Sequence, residues 1–243
     1  MSAHAFVDES KQHGLLVAAA VFQPRDLAPA RTALRRLCLP GQSRLHFTKE
    51  RDERRRQILT VILGLGVVVD LYDATDIRDQ QQARAACLRA VVQDLAAAGG
   101  QRLVLEQDDS LVRSDQAVLY AAVRDAAASD RLTYEHLMAG AEPLLWVADA
   151  AAWCWTRGAP WAGRLQPITR HTRTLCNVQD SAKPSSPTVR RAAGLTSRRY
   201  CTVHLNCTGV NDSATSTGIG PRGPRCDLQR ELAPQHSAIW RGD

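Results

Sequence analysis

The stretch AFVDESKQHGLLVAAAVF, residues 5–22, decides how the chain is read. Two apolar runs, AFV and LLVAAAVF, flank a short polar segment that closes with glycine at position 14, the composition of two strands joined by a turn over Lys11–Gly14. Asp8 and Glu9 fall where the first strand ends. A carboxylate at the end of a core strand is costly to bury unless a proton, a cation or a set of donors meets it. The local alternative is turn chemistry, in which Asp8 accepts hydrogen bonds from backbone amides of the turn itself.

Outward from this hairpin, helical and extended patterns alternate. DLAPARTALRRLC reads as a helix with Asp26 as its cap, RLHF as a short extended piece, and ERDERRRQILTVILGLG as a second helix. VVVDLYDAT is a strand, and QQQARAACLRAVVQDLAAAGG a helix closed by two glycines suited to a C-cap. RLVLEQDD and RLTYEHLM are strands on either side of the helix LVRSDQAVLYAAVRDAAASD. The helix PLLWVADAAAWCWTRG starts with Pro143 at a favoured first position and stops at Gly158. Strands alternating with helices after an opening hairpin predict an α/β domain over residues 1–175, built on a mixed sheet. The continuously apolar later strands require helices on both faces. From Cys176 to the end at residue 243, Ser, Thr, Pro, Gly and Arg dominate without period, which predicts a disordered tail with too little apolar surface to offset ordering entropy.

Composition bounds the remaining classes. A net charge of +6 permits a polyanionic partner without requiring one. No segment approaches the roughly 20 apolar residues of a membrane span, and the N-terminus lacks the pattern of a secretory signal. The seven cysteines show no CxxC spacing, so they read as reduced thiols of a cytoplasmic protein and not as a disulfide frame or zinc site.

Three acidic positions stand out as candidates for chemistry. Asp8 ends the first strand, Glu106 ends RLVLEQDD with Asp108 and Asp109 behind it, and Asp149 lies inside the apolar helix LLWVADAAAW. Leu145, Trp146, Ala152 and Trp153 lie three or four residues from Asp149, so its carboxylate shares a helix face with apolar groups. Protonation, an arginine or a metal ion must neutralise it. The Glu106–Asp109 segment has a structural alternative as a solvated loop in which Asp109 or Ser110 caps the following helix. Asp70 and Asp73 are weaker rivals. If the strands ending in Asp8 and Glu106 are parallel neighbours, both carboxylates reach one sheet edge, where α/β proteins place their sites. A final helix carrying Asp149 across that edge completes an all-oxygen cluster suited to Mg²⁺ or Mn²⁺.

AFVDES, RLHFTKERDERRRQIL, RLVLEQDD and LLWVADAAAW together resemble the bacterial domain of unknown function 3800 family. Asp8, Glu9 and Ser10 match its opening Asp-Glu-Ser, and Ala148 and Asp149 match its closing Ala-Asp; the likeness spans roughly residues 3–170. Lys11 stands where the family has glycine, and Arg44 precedes His46 by two residues where many members carry an acid. The resemblance implies a ribonuclease H-like fold and a metal-dependent nuclease acting on DNA or RNA. It assigns catalysis and metal binding to Asp8, Asp149 and a third acid, Glu106 with Asp108 or Asp109 as alternatives, with Asp109 as a further ligand and two Mg²⁺ or Mn²⁺ ions. Glu9, His46 and Glu50 are accessory candidates; Lys49, Arg51 and Arg55 are candidate phosphate contacts, although i,i+4 pairs Glu50–Arg54 and Asp52–Arg56 also describe a solvated helix face. The competing class is a catalytically silent binding module on the same fold. No GxxxxGK[ST] loop supports nucleotide phosphotransfer.

Overall fold

The computed structural model describes residues 2–176; the predicted tail lies outside the described residues. β1 (His4–Ser10) and β2 (Leu16–Phe22) form the expected hairpin, with Asp8 opposite Ala18 and Ser10 opposite Leu16. The turn requires left-handed backbone: His13 has φ 63° and Gly14 φ 114°. A Cβ at Gly14 would stand 2.8 Å from the Thr75 Cα, so glycine there answers both a conformational and a steric demand.

After the hairpin come α1 (Pro24–Arg35), α2 (Asp52–Leu63), β3 (Val68–Asp73) and α3 (Gln80–Ala97). β4 (Arg102–Glu106), α4 (Val112–Asp125), β5 (Thr133–Leu137) and α5 (Leu145–Thr156) follow. A five-residue helix, α6 (Trp161–Leu165), and β6 (Thr169–Thr174) complete the described domain. The six strands lie in the order β5-β4-β1-β2-β3-β6. β1, β2 and β3 are an antiparallel meander; β4 runs parallel to β1, β5 to β4, and β6 to β3. This is the expected mixed α/β sheet opening with a β-hairpin.

Strand alternation sorts the side chains into two cores. Phe6, Ala18, Ala20, Phe22 and Val104 face α1, α2 and α5. Ala5, Val7, Val17, Ala19 and Leu105 face α3 and α4. β2 is buried along its whole length, as a central strand covered on both faces must be. Leu145–Ala148 and Ala150–Cys154 of α5 are buried, and its alanines allow that helix to lie closely across β1 and β2.

Several local expectations shift. Gln23, not Asp26, is the N-cap of α1; Pro24 takes the first position and Asp26 sits in the first turn. The segment read as extended at RLHF bends into a 3-10 turn at Phe47–Lys49. β6 escaped the sequence reading because TRHTRT is polar; its side chains alternate half-buried and exposed at the sheet edge. Asp70 anchors this strand: buried on β3, it is paired by Arg170 and by His171 Nδ1 at 3.1 Å. That pairing removes Asp70 from the list of site candidates. Asp73 is spent locally, accepting from the Thr75 amide at 3.0 Å.

Cys87 and Cys154 are buried free thiols, both pushed up to about 12 by burial; Cys38 is half-buried and also free. No helix among the described residues is long and apolar enough to cross a membrane.

Candidate active site

The parallel register of β1 and β4 pairs Val7 with Leu105, which brings Asp8 and Glu106 side by side at the C-terminal ends of adjacent strands. Alternation turns both toward the α5 face, the face of Phe6 and Val104. Asp149 reaches the same place from α5, close enough for its charge to raise the proton affinity of Asp8 and for the charge of Glu106 to raise its own. The three carboxylates singled out in the sequence therefore meet at one edge of the sheet.

Their electrostatics follow from crowding. Burial holds the Asp8 carboxyl well above the usual carboxylate range, the charges of Glu106 and Asp149 and a hydrogen bond with Glu106 reinforce the rise, and Arg44 opposes it. Burial likewise lifts Asp149 to about 6; the Phe47 amide, donating to Oδ2 at 3.2 Å, and Arg44 pull the other way. Like charges in a low-dielectric pocket cannot all be ionised without a counter-charge. Among the described residues, the guanidinium that answers them directly is that of Arg44, whose Nη1 donates to Glu106 Oε1 at 2.8 Å. Arg44 Nε also donates to His46 Nε2 at 2.9 Å. Burial first, then Arg44 and Lys49, keep the His46 imidazole below its ordinary pKa, so it is neutral at neutral pH.

Sequence reasoning treated Arg44 only as a departure from a pattern; the structure makes it the counter-ion of the site. A signal was present. In Arg44-Leu45-His46-Phe47, Leu45 and Phe47 are buried, while Arg44 and His46 are half-buried on the other side, Arg44 bonding Glu106 and His46 bonding Arg44. Phe47, wedged edge-on against Trp153 with ring centroids 5.3 Å apart, fixes the amide that Asp149 accepts.

The remaining candidates separate. Glu9 points to the opposite face, where Lys11 (3.0 Å) and Arg84 pair with it. Arg84 continues to Asp115 through Nε–Oδ1 at 2.6 Å and Nη2–Oδ2 at 2.7 Å, and His136 Nε2 meets the same carboxylate at 3.1 Å. Although burial acts to raise the Asp115 pKa, the hydrogen bonds from Arg84 and His136 hold it low. Asp108, not Asp109 or Ser110, closes the loop before α4: it accepts from the Ser110 amide and hydroxyl, and its carbonyl accepts from Leu111 and Val112. Asp109 bonds Gln107 Nε2 at 2.7 Å. With Asp8, Glu9, Arg84 and Glu106, Asp108 and Asp109 line a cleft of about 510 Å³ at the strand ends. Glu50 makes no hydrogen bond or ion pair to the three carboxylates among the described residues. Lys49 and Arg51 are exposed. The Arg55 guanidinium is committed within the protein, to Phe47 O (2.9 Å), Thr48 O (2.7 Å) and Asp52 (2.7 Å), and lies 4.3 Å from the Trp153 ring centroid. Asp52 pairs with Arg55 and not with Arg56, and Arg54 bonds Gln57 and the Leu37 carbonyl, so the two anticipated i,i+4 pairs do not form.

Three carboxylates, all oxygen donors, suit a hard divalent cation by chemistry. Among the described residues, however, no three His, Cys, Asp or Glu side chains stand in an arrangement that holds a metal ion as it is. Glu106 is turned to Arg44, Asp149 to the Phe47 amide, and Asp8 to Glu106.

No family model matches the chain, and no curated protein matches it. Among solved structures the chain is similar to a chain of the PCNA:RNase HII complex from Archaeoglobus fulgidus. The similarity has 14% identity and a TM-score of 0.43, over 65% of this chain and 73% of that one.

Proposed function

We propose that this domain is a divalent-metal-dependent nuclease whose ligand set is Asp8, Glu106 and Asp149. One observation carries the reading: carboxylates from β1, β4 and α5, more than 140 residues apart in the case of Asp8 and Asp149, meet in a pocket whose crowding raises the proton affinity of two of them. An acidic cluster maintained at such cost, at the sheet edge where α/β proteins act, is a functional-site signature. A structural ion-pair network would be balanced, as Arg84–Asp115 is on the opposite face; here one guanidinium faces three acids.

Asp8, Glu106 and Asp149 would hold the Mg²⁺ or Mn²⁺. Bound ions would supply an activated water and stabilise the leaving oxygen. The chain's own contribution is positional. The Phe47 amide orients Asp149, the β1–β4 ladder holds Asp8 against Glu106, and Arg44 neutralises part of the charge. His46, neutral, accepts from Arg44 Nε through Nε2 and so holds that guanidinium beside the acids. DNA or RNA is the substrate class.

The Arg44–Glu106 pair favours the second reading, a silent binding module in which a guanidinium takes the place of metal. Cleavage of labelled single- and double-stranded DNA and RNA with Mg²⁺ or Mn²⁺ separates them. The nuclease reading expects activity in wild type, and only no-enzyme background in Asp8→Asn and Asp149→Asn. Equal cleavage by all three, or none by folded wild type, supports the silent module.

A further inference from the structure

We infer that the surface beside the acid cluster is a phosphate track for nucleic acid, built from arginines that lie against two tryptophans; the choice of partner rests on the nuclease reading. Trp153 lies one helical turn beyond Asp149 on α5 and packs edge-on against Trp161 of α6, with centroids 5.3 Å apart. Four guanidinium carbons lie against these two rings. Arg55 and Arg157 are 4.3 and 5.2 Å from the Trp153 centroid, and Arg56 and Arg164 are 5.9 and 5.8 Å from that of Trp161.

Arg55 is consumed internally. Arg56, Arg157 and Arg164 differ. Each is exposed, and none forms an ion pair or a side-chain hydrogen bond among the described residues. Between Asp149 and Cys176 the chain carries arginines at 157, 164, 170 and 173 and no acidic residue. On α2, Asp52 is paired with Arg55, leaving Glu53 as the only acid of that helix not engaged.

An unpaired arginine on a soluble surface ordinarily waves in water. Packing against an aromatic ring restrains the guanidinium and covers its face, while its N–H edge remains free to donate. Three such groups beside a cluster of acids place positive charge where a phosphodiester backbone must run to bring one phosphate to Asp8 and Asp149. Arginine in this setting also offers bidentate geometry to phosphate, which lysine cannot. Lys49 and Arg51, just before α2, are also exposed.

The test is binding, not cleavage. Fluorescence anisotropy of labelled single- and double-stranded oligonucleotides is measured in EDTA, across a salt series, for three full-length proteins. These are wild type, R56Q/R157Q/R164Q and R56K/R157K/R164K, each checked for wild-type melting. Removal of three phosphate contacts lowers the slope of log affinity against log salt by about 2 to 3. Affinity at low salt falls at least about tenfold in the Gln variant, and the Lys variant recovers most of the salt slope.

An unchanged slope in a folded Gln variant overturns the track, as does equal binding of a poly-glutamate peptide, which would mark a generic anion surface. Wild type that binds no oligonucleotide overturns it too. Patch-dependent binding without cleavage leaves the track standing and removes the nuclease reading; cleavage with patch-independent binding does the reverse.

Discussion

Replacing Asp149 by Asn exchanges function for stability, and the size of the exchange follows from the pocket. Burial holds the Asp149 carboxyl at about 6 in the fold, against about 3.9 in an unfolded chain. Between those values the unfolded state gives up its proton while the folded state keeps it. The unfolded state then binds fewer protons, so stability falls as pH rises through this window and stays low above it. A gap of about two pH units, at about 1.4 kcal/mol each, amounts to about 3 kcal/mol of destabilisation at pH 8. Asn carries no charge at any pH, keeps an oxygen to accept from the Phe47 amide, and offers an NH₂ to Glu106 or Asp8. Metal-free Asp149→Asn is therefore more stable than wild type by up to about 3 kcal/mol at pH 8, or roughly 6–12 °C in Tm for a domain of this size. The two proteins converge below about pH 3, where the wild-type carboxyl is protonated in both states. Thermal and denaturant unfolding in EDTA at pH 4.5, 6 and 8 measures this directly. A variant less stable than wild type at pH 8, or a difference independent of pH, refutes the reasoning.

Other perturbations separate the two faces of the sheet. Arg84→Met removes the partner of Asp115 and Glu9 on the face away from the acids; leaving Asp115 buried without its guanidinium costs about 3–5 kcal/mol by denaturant unfolding, without changing divalent-metal affinity. Arg44→Gln frees Glu106 and deepens the negative potential around Asp8. Calorimetry should show Mn²⁺ binding tightened severalfold, and metal-free Tm should fall only slightly, because that pair is partly solvated. Gly14→Ala forces a Cβ against Thr75 in left-handed backbone and should lower Tm by several degrees with no effect on metal affinity.

Much of this architecture was legible in the chain itself because its signals are local. AFVDES and LLVAAAVF declare a hairpin through their apolar runs and Gly14, and the alternation of later elements declares a layered α/β domain. Asp8, Glu106 and Asp149 were legible as candidates because each interrupts an apolar stretch at some cost. Their convergence was not, since it depends on β4 choosing β1 as its parallel neighbour and on α5 crossing that edge. Arg44 was missed as a participant because its role is set by Glu106, 62 residues later. Glu9 turns its carboxylate to Lys11 and Arg84 because one residue's step along a strand reverses the face. β6 carries no apolar run; it is recruited by Asp70, which meets Arg170 and His171 across a ladder that no local pattern announces.

The account stands on Asp8, Glu106 and Asp149 acting together as a cation site, and titration calorimetry of Mn²⁺ and Mg²⁺ into folded protein at pH 8 probes it most directly. Saturable uptake by wild type, abolished in Asp8→Asn, is the predicted result. No uptake by folded wild type, or identical uptake in the Asp8→Asn variant, contradicts it.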